Sequence, residues 1–143
     1  MIVVDASVWV SRLVPQDIHH AASRRWLERH VADGQLLSAP MFLLSEVAGA
    51  ISRRTGEPAL ARQAVERLMR FPALRLVSVD HRLGKEAARL AADFRLRGAD
   101  AVYVALARIL NVPLVTWDDE QMTRRREVIQ AQLPNHDEAL LTR

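Results

Sequence analysis

The sequence predicts an α/β fold around a mainly parallel sheet, and three observations point to it. Short apolar runs rich in β-branched residues, such as Met1-Ile2-Val3-Val4 and Val112-Pro113-Leu114-Val115-Thr116, read as buried strands. Longer segments between such runs carry their apolar residues at helical spacing. The two signals alternate along the chain, as βα units wound around one layered core do.

Each element follows from local chemistry. Met1–Val4 is the first strand, and Ser7 is placed to cap a short helix that runs to Leu13 and stops before Pro15. Asp17 reads as the cap of a second helix, with Ile18, Ala21, Ala22, Trp26, Leu27 and Val31 as its apolar side and Gly34 as its end. Gln35–Ala39 is a short second strand. After Pro40 a helix extends to about Thr55, where Gly56 and Pro58 break it. Leu60, Ala64, Val65, Leu68 and Met69 mark a further helix that Pro72 stops.

Leu74–Val79 alternates as a third strand, with Leu74, Leu76 and Val79 as core positions. Leu83, Ala87, Leu90, Ala91 and Phe94 trace the face of the next helix, which Gly98 is expected to end. Asp100 then starts a helix that is apolar almost all round and therefore buried. Val112–Thr116 is the fourth strand. A short helix from about Asp118 and a strand at Val128–Gln132 complete the reading. No internal repeat or interdomain linker is visible, so residues 1–143 are read as a single domain.

Composition narrows the classes of function. Half of the residues are hydrophobic and 26% are charged, as in an ordinary soluble chain. No apolar run approaches the ~18 residues of a membrane span. Asp5 and Arg12 break the first apolar stretch, so no signal peptide is expected and the chain reads as cytoplasmic. The absence of cysteine excludes disulfides and thiolate metal sites. Among the 20 basic side chains only Lys85 is lysine, and the arginine excess suits phosphate binding as well as it suits solvated helix faces. The few aromatics count against a stacking platform for single-stranded nucleic acid.

Four carboxylates stand out because each abuts an apolar segment. Asp5 ends the first strand, Glu46 interrupts Phe42–Ile51, Asp100 opens the buried helix and Asp118 follows the fourth strand. An acid in that setting is disfavoured unless it is protonated, paired or bound to a cation. Ligands of parallel α/β sheets collect beyond the carboxyl ends of the strands, where all four can project. If they converge, mutual repulsion raises some of their pKa values, and a hard divalent metal is the natural counter-charge. Glu46, Gly49 and Arg53 also form a polar stripe on one helix face.

Each acid has a plainer reading beside this one. Asp100 suits an N-cap, Asp118-Asp119-Glu120 suits the acidic first turn of a helix, and Glu46 suits an ion pair with Arg53 or Arg54. Asp5, followed by small Ala6 and Ser7, has little packing purpose. Ser7 and Thr116 each lie two residues from a key aspartate and are placed either to orient it or to cap a turn. His19 and His20 are adjacent, so they point to different sides of a helix and read as surface residues. Neither a nucleophile elbow, a P-loop nor a dinucleotide fingerprint occurs.

The ordered set Val3-Val4-Asp5-Ala6-Ser7, Ser45-Glu46-Val47, Arg97-Gly98-Ala99-Asp100-Ala101 and Leu114-Val115-Thr116-Trp117-Asp118 resembles the PIN-domain ribonucleases. More narrowly, it is similar to the VapC-type toxins of toxin–antitoxin pairs. The resemblance implies a three-layer α/β/α PIN-like fold. It implies Mg²⁺ or Mn²⁺ held by Asp5, Asp100 and Asp118, with Glu46 as a ligand or just behind the ligands. It also implies a homodimer and a cognate antitoxin bound across the active-site groove. Asp119 and Glu120 compete with Asp118 for the last acidic position, and the tail from Arg124-Arg125-Arg126 onward matches only loosely.

The function expected on this basis is hydrolysis of RNA phosphodiester bonds by metal-activated water, with Asp5, Glu46, Asp100 and Asp118 as the catalytic acids. Arg53, Arg97, Arg124, Arg125 and Arg126 are candidate contacts to the RNA backbone. Two rival readings keep the PIN scaffold: a non-catalytic RNA- or protein-binding module, and a housekeeping RNA-processing nuclease. A phosphatase with Asp5 as nucleophile is disfavoured, because that pattern puts a second aspartate where this chain has Ser7.

Overall fold

Val3 and Val4 are fully buried and lie at the centre of the molecule, hydrogen-bonded into a strand with neighbours on both sides. The structure is a computed structural model that describes residues 1–118, 122 and 128–135. Its elements in chain order are β1 (Ile2–Val4), α1 (Ala6–Leu13), α2 (His20–Ala32), β2 (Leu37–Pro40), α3 (Leu43–Thr55), α4 (Pro58–Met69), β3 (Leu74–Val77), α5 (His81–Phe94), α6 (Gly98–Leu110), β4 (Leu114–Val115) and β5 (Ala131–Gln132).

The strands form one sheet in the order β3-β2-β1-β4-β5, and every neighbouring pair is parallel. Val3 stands opposite Ser38 of β2 and Leu114 of β4, and Val4 opposite Val115. From β1 the chain steps outward through β2 to β3, then crosses back over to β4 on the far side of β1. Right-handed crossovers place α1–α4 on one face of such a sheet and α5 and α6 on the other. The packing agrees: α1 lies against α2 and α3, α3 against α4, and α5 against α6, which covers β1, β2 and β4. The result is three layers, with a change of winding direction between β1 and β4.

Several local expectations are corrected. Asp5, not Ser7, caps α1, because its side chain accepts the Ser7 backbone N–H. Asp17 lies before α2 rather than at its cap; His19 takes that position, and Asp17 Oδ1 accepts the His19 amide at 2.8 Å. Ile18 is 91% exposed and has no part in the apolar face. Pro58 starts α4 rather than breaking a helix, since its missing N–H is no loss in the first turn. Gly98 does not end α5. Arg95 does so in a left-handed conformation (φ 53°), and Gly98 is the first residue of α6.

The strands are shorter than their apolar runs. Pairing is set by hydrogen-bonding neighbours, so β2 shifts to Leu37–Pro40, and β4 and β5 keep two residues each. Val79 lies beyond β3 and is exposed. Among the described residues no helix is long and apolar enough to cross a membrane.

Candidate active site

The reversal of winding between β1 and β4 opens a crevice at their carboxyl ends, the usual ligand position in open parallel sheets. Asp5 stands at its floor, 7% exposed, with its backbone N–H bonded to Val115 of β4. Oδ2 of Asp5 accepts both the Ser7 amide and the Thr116 hydroxyl, each at 3.1 Å. Among the described residues nothing bonds Oδ1. Asp5 therefore does have a structural task, contrary to the sequence reading, and one oxygen suffices for it.

Two hydroxyls tie the segment after β4 to the start of α1. Thr116 is fully buried, and its Oγ1 donates to Asp5 while accepting the Asp118 amide at 3.1 Å. Ser7 Oγ accepts the Trp117 amide at 3.1 Å and lies 3.4 Å from Thr116 Oγ1. Asp118 is thereby held two residues from Asp5's own hydrogen-bond donor. Both hydroxyls serve as anchors; at Thr116 the turn-capping and carboxylate-orienting roles coincide, whereas Ser7 meets Asp5 through its backbone N–H.

Glu46 comes from the first turn of α3 and Asp100 from the first turn of α6. Asp100 is not the cap of its helix, since Arg97 occupies that position. Tyr103, one turn after Asp100 and 1% exposed, donates its hydroxyl to Glu46 Oε2 at 2.6 Å. Burial pushes the Glu46 carboxyl above the ordinary range, and the negative charges of Asp5 and Asp100 push it the same way against the Tyr103 hydrogen bond. Burial beside Glu46 and Asp5 likewise drives the Tyr103 phenol far upward, so it stays a donor. Glu46 thus feels the charges of two of the other acids, Asp5 and Asp100.

The donors are all oxygen, the set that a hard divalent cation prefers, and the repulsion at Glu46 is what such a cation relieves. Among the described residues, however, no three Asp, Glu or His side chains are drawn together tightly enough to form a metal-ligand set as they stand. The fit is one of chemistry and placement. Asp119, Glu120, Arg124, Arg125 and Arg126 lie outside the described residues.

The model of the PIN-domain family matches residues 2–128. The chain belongs to the PIN-domain family. Among solved structures it is similar to VapC20 of Mycobacterium tuberculosis, a sarcin-ricin loop cleaving toxin, with a TM-score of 0.73 at 19% identity over 86% of this chain and 94% of that one. It is similar to VapBC2 of Rickettsia felis bound to a promoter DNA fragment, with a TM-score of 0.72 at 14% identity over 93% of this chain and 98% of that one. It is also similar to FitAcB of Neisseria gonorrhoeae, with a TM-score of 0.72 at 18% identity over 95% and 99% of the two chains. A comparison with curated proteins finds no match. At these identities the structural likeness is one of fold.

Within this PIN domain the cations are distributed unevenly. Arg53 lines a cavity beside the acids together with Ser7 and Glu46. A Cβ added at Gly49 would lie 2.9 Å from Arg53 Nη1, so the glycine lets the guanidinium fold back along α3. Arg54 pairs with Asp17 at 2.6 Å rather than with Glu46. Arg97, at the start of α6, does not line this cavity.

Two site residues escaped the sequence reading. Tyr103 carried a signal in retrospect: it is the chain's single tyrosine, three residues after Asp100 on an apolar helix. His19 carried none. It is not a solvated surface residue but stacks on Trp117, with ring centres 3.9 Å apart and planes 9° from parallel.

Proposed function

We propose that this PIN domain is a Mg²⁺- or Mn²⁺-dependent endoribonuclease and the toxin of a toxin–antitoxin pair, acting in the cytoplasm as a homodimer. The observation that carries the reading is the placement of the acids at the switch point of a parallel sheet, where the Glu46 carboxyl is pushed above its ordinary range by burial and then by the charges of Asp5 and Asp100. Asp5 through Oδ1, Asp100 and Asp118 would hold the ion, with Glu46 beside them. When bound, the ion supplies Lewis acidity at the phosphate and lowers the pKa of water.

The chain's own groups position and move protons. Thr116 and Ser7 hold Asp5 in one rotamer through Oδ2. Tyr103 turns Glu46 so that Oε1 faces away from its hydrogen bond. A carboxylate held above its ordinary range is a suitable general base, and Glu46 Oε1 takes the proton from the attacking water. The water oxygen bonds to phosphorus, the bond to the 3′ oxygen breaks and that oxygen takes a proton from solvent, leaving a 5′-phosphate and a 3′-hydroxyl. No covalent intermediate with the protein is needed.

The antitoxin partner is supported by fold likeness to VapBC2 and FitAcB, and the RNA substrate by likeness to VapC20. The looseness of the acid cluster favours one rival, a non-catalytic binding module on the same scaffold. Incubation of a mixed RNA pool with the parent chain and with Asp5→Asn, in Mg²⁺ or Mn²⁺ and in EDTA, separates the two. Metal-dependent cutting with 5′-phosphate ends by the parent alone supports the nuclease. Equal activity of Asp5→Asn sinks it.

A further inference from the structure

The cavity beside the acids has a volume of about 360 Å³, within the roughly 300–1,000 Å³ of ligand pockets. Ser7 and Glu46 line it on the acid side, and His19, Trp117 and Arg53 are also in its wall. Of the four candidate acids Glu46 is the one in its wall, so the cavity adjoins the proposed cutting site through that side chain. A strand whose phosphate lies at the acids must send its neighbouring nucleoside somewhere, and this is the adjoining hollow.

The wall is built to hold one ring in place. Trp117 is fixed at two points, its Nε1 donating to Ser23 Oγ at 2.7 Å and its amide to Ser7 Oγ at 3.1 Å. Ser23 is in turn fixed by Ser11, 2.6 Å away, whose hydroxyl also donates to the Val8 carbonyl. The His19 imidazole lies flat on the indole. Its backbone is pinned by Asp17 Oδ1, while Asp17 Oδ2 accepts from Arg54. These contacts join segments nearly one hundred residues apart, at more expense of side-chain freedom than an idle surface histidine requires.

The charges also sort themselves. Asp17 and Arg54 neutralise each other, and one oxygen of Glu46 is taken by Tyr103. Among the described residues no ion pair engages Arg53, which Gly49 allows to lie back along α3 toward the acids. A flat aromatic face and an uncommitted guanidinium, side by side next to a hydrolytic centre, match the two halves of a nucleotide.

We propose that His19, backed by Trp117, stacks on the nucleobase adjoining the cut phosphate, with Arg53 on the flanking phosphate, which makes the pair a specificity determinant of the nuclease; this rests on the ribonuclease reading above. The scarcity of aromatics in the chain counts against an extended platform, but a single base needs a single stack. His19 is a positioning residue here, since it touches a base and not the reacting atoms.

The test measures binding of a fluorescent random-sequence single-stranded oligoribonucleotide pool, and of a base-free ribose-phosphate polymer, in Mn²⁺ and in the Asp5→Asn background. His19→Ala is expected to weaken binding of the oligoribonucleotides about tenfold and to leave the base-free polymer unaffected. His19→Phe, which keeps a flat ring, is expected to bind at least as tightly as the parent. Parent-like affinity of His19→Ala overturns the proposal and leaves the cavity to a protein partner. Equal losses on both probes, or weakened binding by His19→Phe, overturn it in favour of a scaffold role. Failure of the parent chain itself to bind or cut any RNA removes the nuclease reading first, and this subsite with it.

Discussion

Tyr103 Oη donates to Glu46 Oε2 at 2.6 Å, joining α6 to α3 across the carboxyl end of the sheet. The bond stabilises the ionised carboxylate, whereas burial and the charges of Asp5 and Asp100 disfavour it. Their balance leaves Glu46 above its ordinary range. Tyr103→Phe removes the stabilising side alone. We expect the Glu46 pKa to move further up and the acid limb of the activity–pH profile to move with it. Urea unfolding should show a loss of about 1 kcal/mol, below the value for a fully buried bond to a charge because Glu46 is part-exposed. An unmoved acid limb would separate Tyr103 from the chemistry.

The raised Glu46 also fixes the sign of a stability effect. The folded chain binds this proton more tightly than the unfolded chain, whose glutamate titrates in its ordinary range. Stability attributable to the group is therefore present at low pH and lost as pH rises from that value through the folded pKa. In metal-free buffer, Glu46→Gln should flatten this part of the curve, because it has no proton to release. Parallel melting curves for the two chains across that window would show that Glu46 is not shifted.

Asp5 combines two tasks that substitutions can separate. Asparagine caps a helix about as well as aspartate, so Asp5→Asn should melt within about 1 kcal/mol of the parent while losing activity. Asp5→Ala loses the cap as well and should cost a further ~1 kcal/mol or more, with Thr116 Oγ1 left without its acceptor in a buried place. Chemical denaturation of the three chains orders them. If Asn destabilised as much as Ala, the charge and not the cap would hold α1.

Gly49→Ala tests the path of Arg53. The added Cβ would lie 2.9 Å from Arg53 Nη1, the far end of a flexible side chain, so the guanidinium moves while the helix stays. Replacing a glycine inside a helix stabilises by up to ~1 kcal/mol, and a higher melting temperature is expected. RNA binding should weaken and lose about one unit of salt dependence, the signature of one phosphate contact removed. An unchanged salt slope would show that Arg53 does not reach the backbone.

The local rules worked where chemistry and geometry are local. Val3-Val4-Asp5 announced a buried strand ending in an acid, the helix that became α3 was visible between Pro40 and Gly56, and the one that became α6 from the apolar run after Asp100. They erred at boundaries. Gly98 looked like a helix end, yet Arg95 adopts the left-handed turn at some strain and leaves Gly98 to start α6. Ser7 looked like a cap, but Asp5, two places earlier, takes that position by accepting the Ser7 amide.

What the sequence determined by itself was the alternation of strands and helices and the identity of four acids set against apolar segments, because burial preference is written in residue type and spacing. What only the tertiary structure decided was which groups meet. Glu46 finds Tyr103, Thr116 bridges Asp5 to the backbone of Asp118, and His19 lies on Trp117. Those partners stand 57 to 111 residues from one another for the Glu46 and Asp5 contacts, and only the order in which parallel strands pair brings them to one edge.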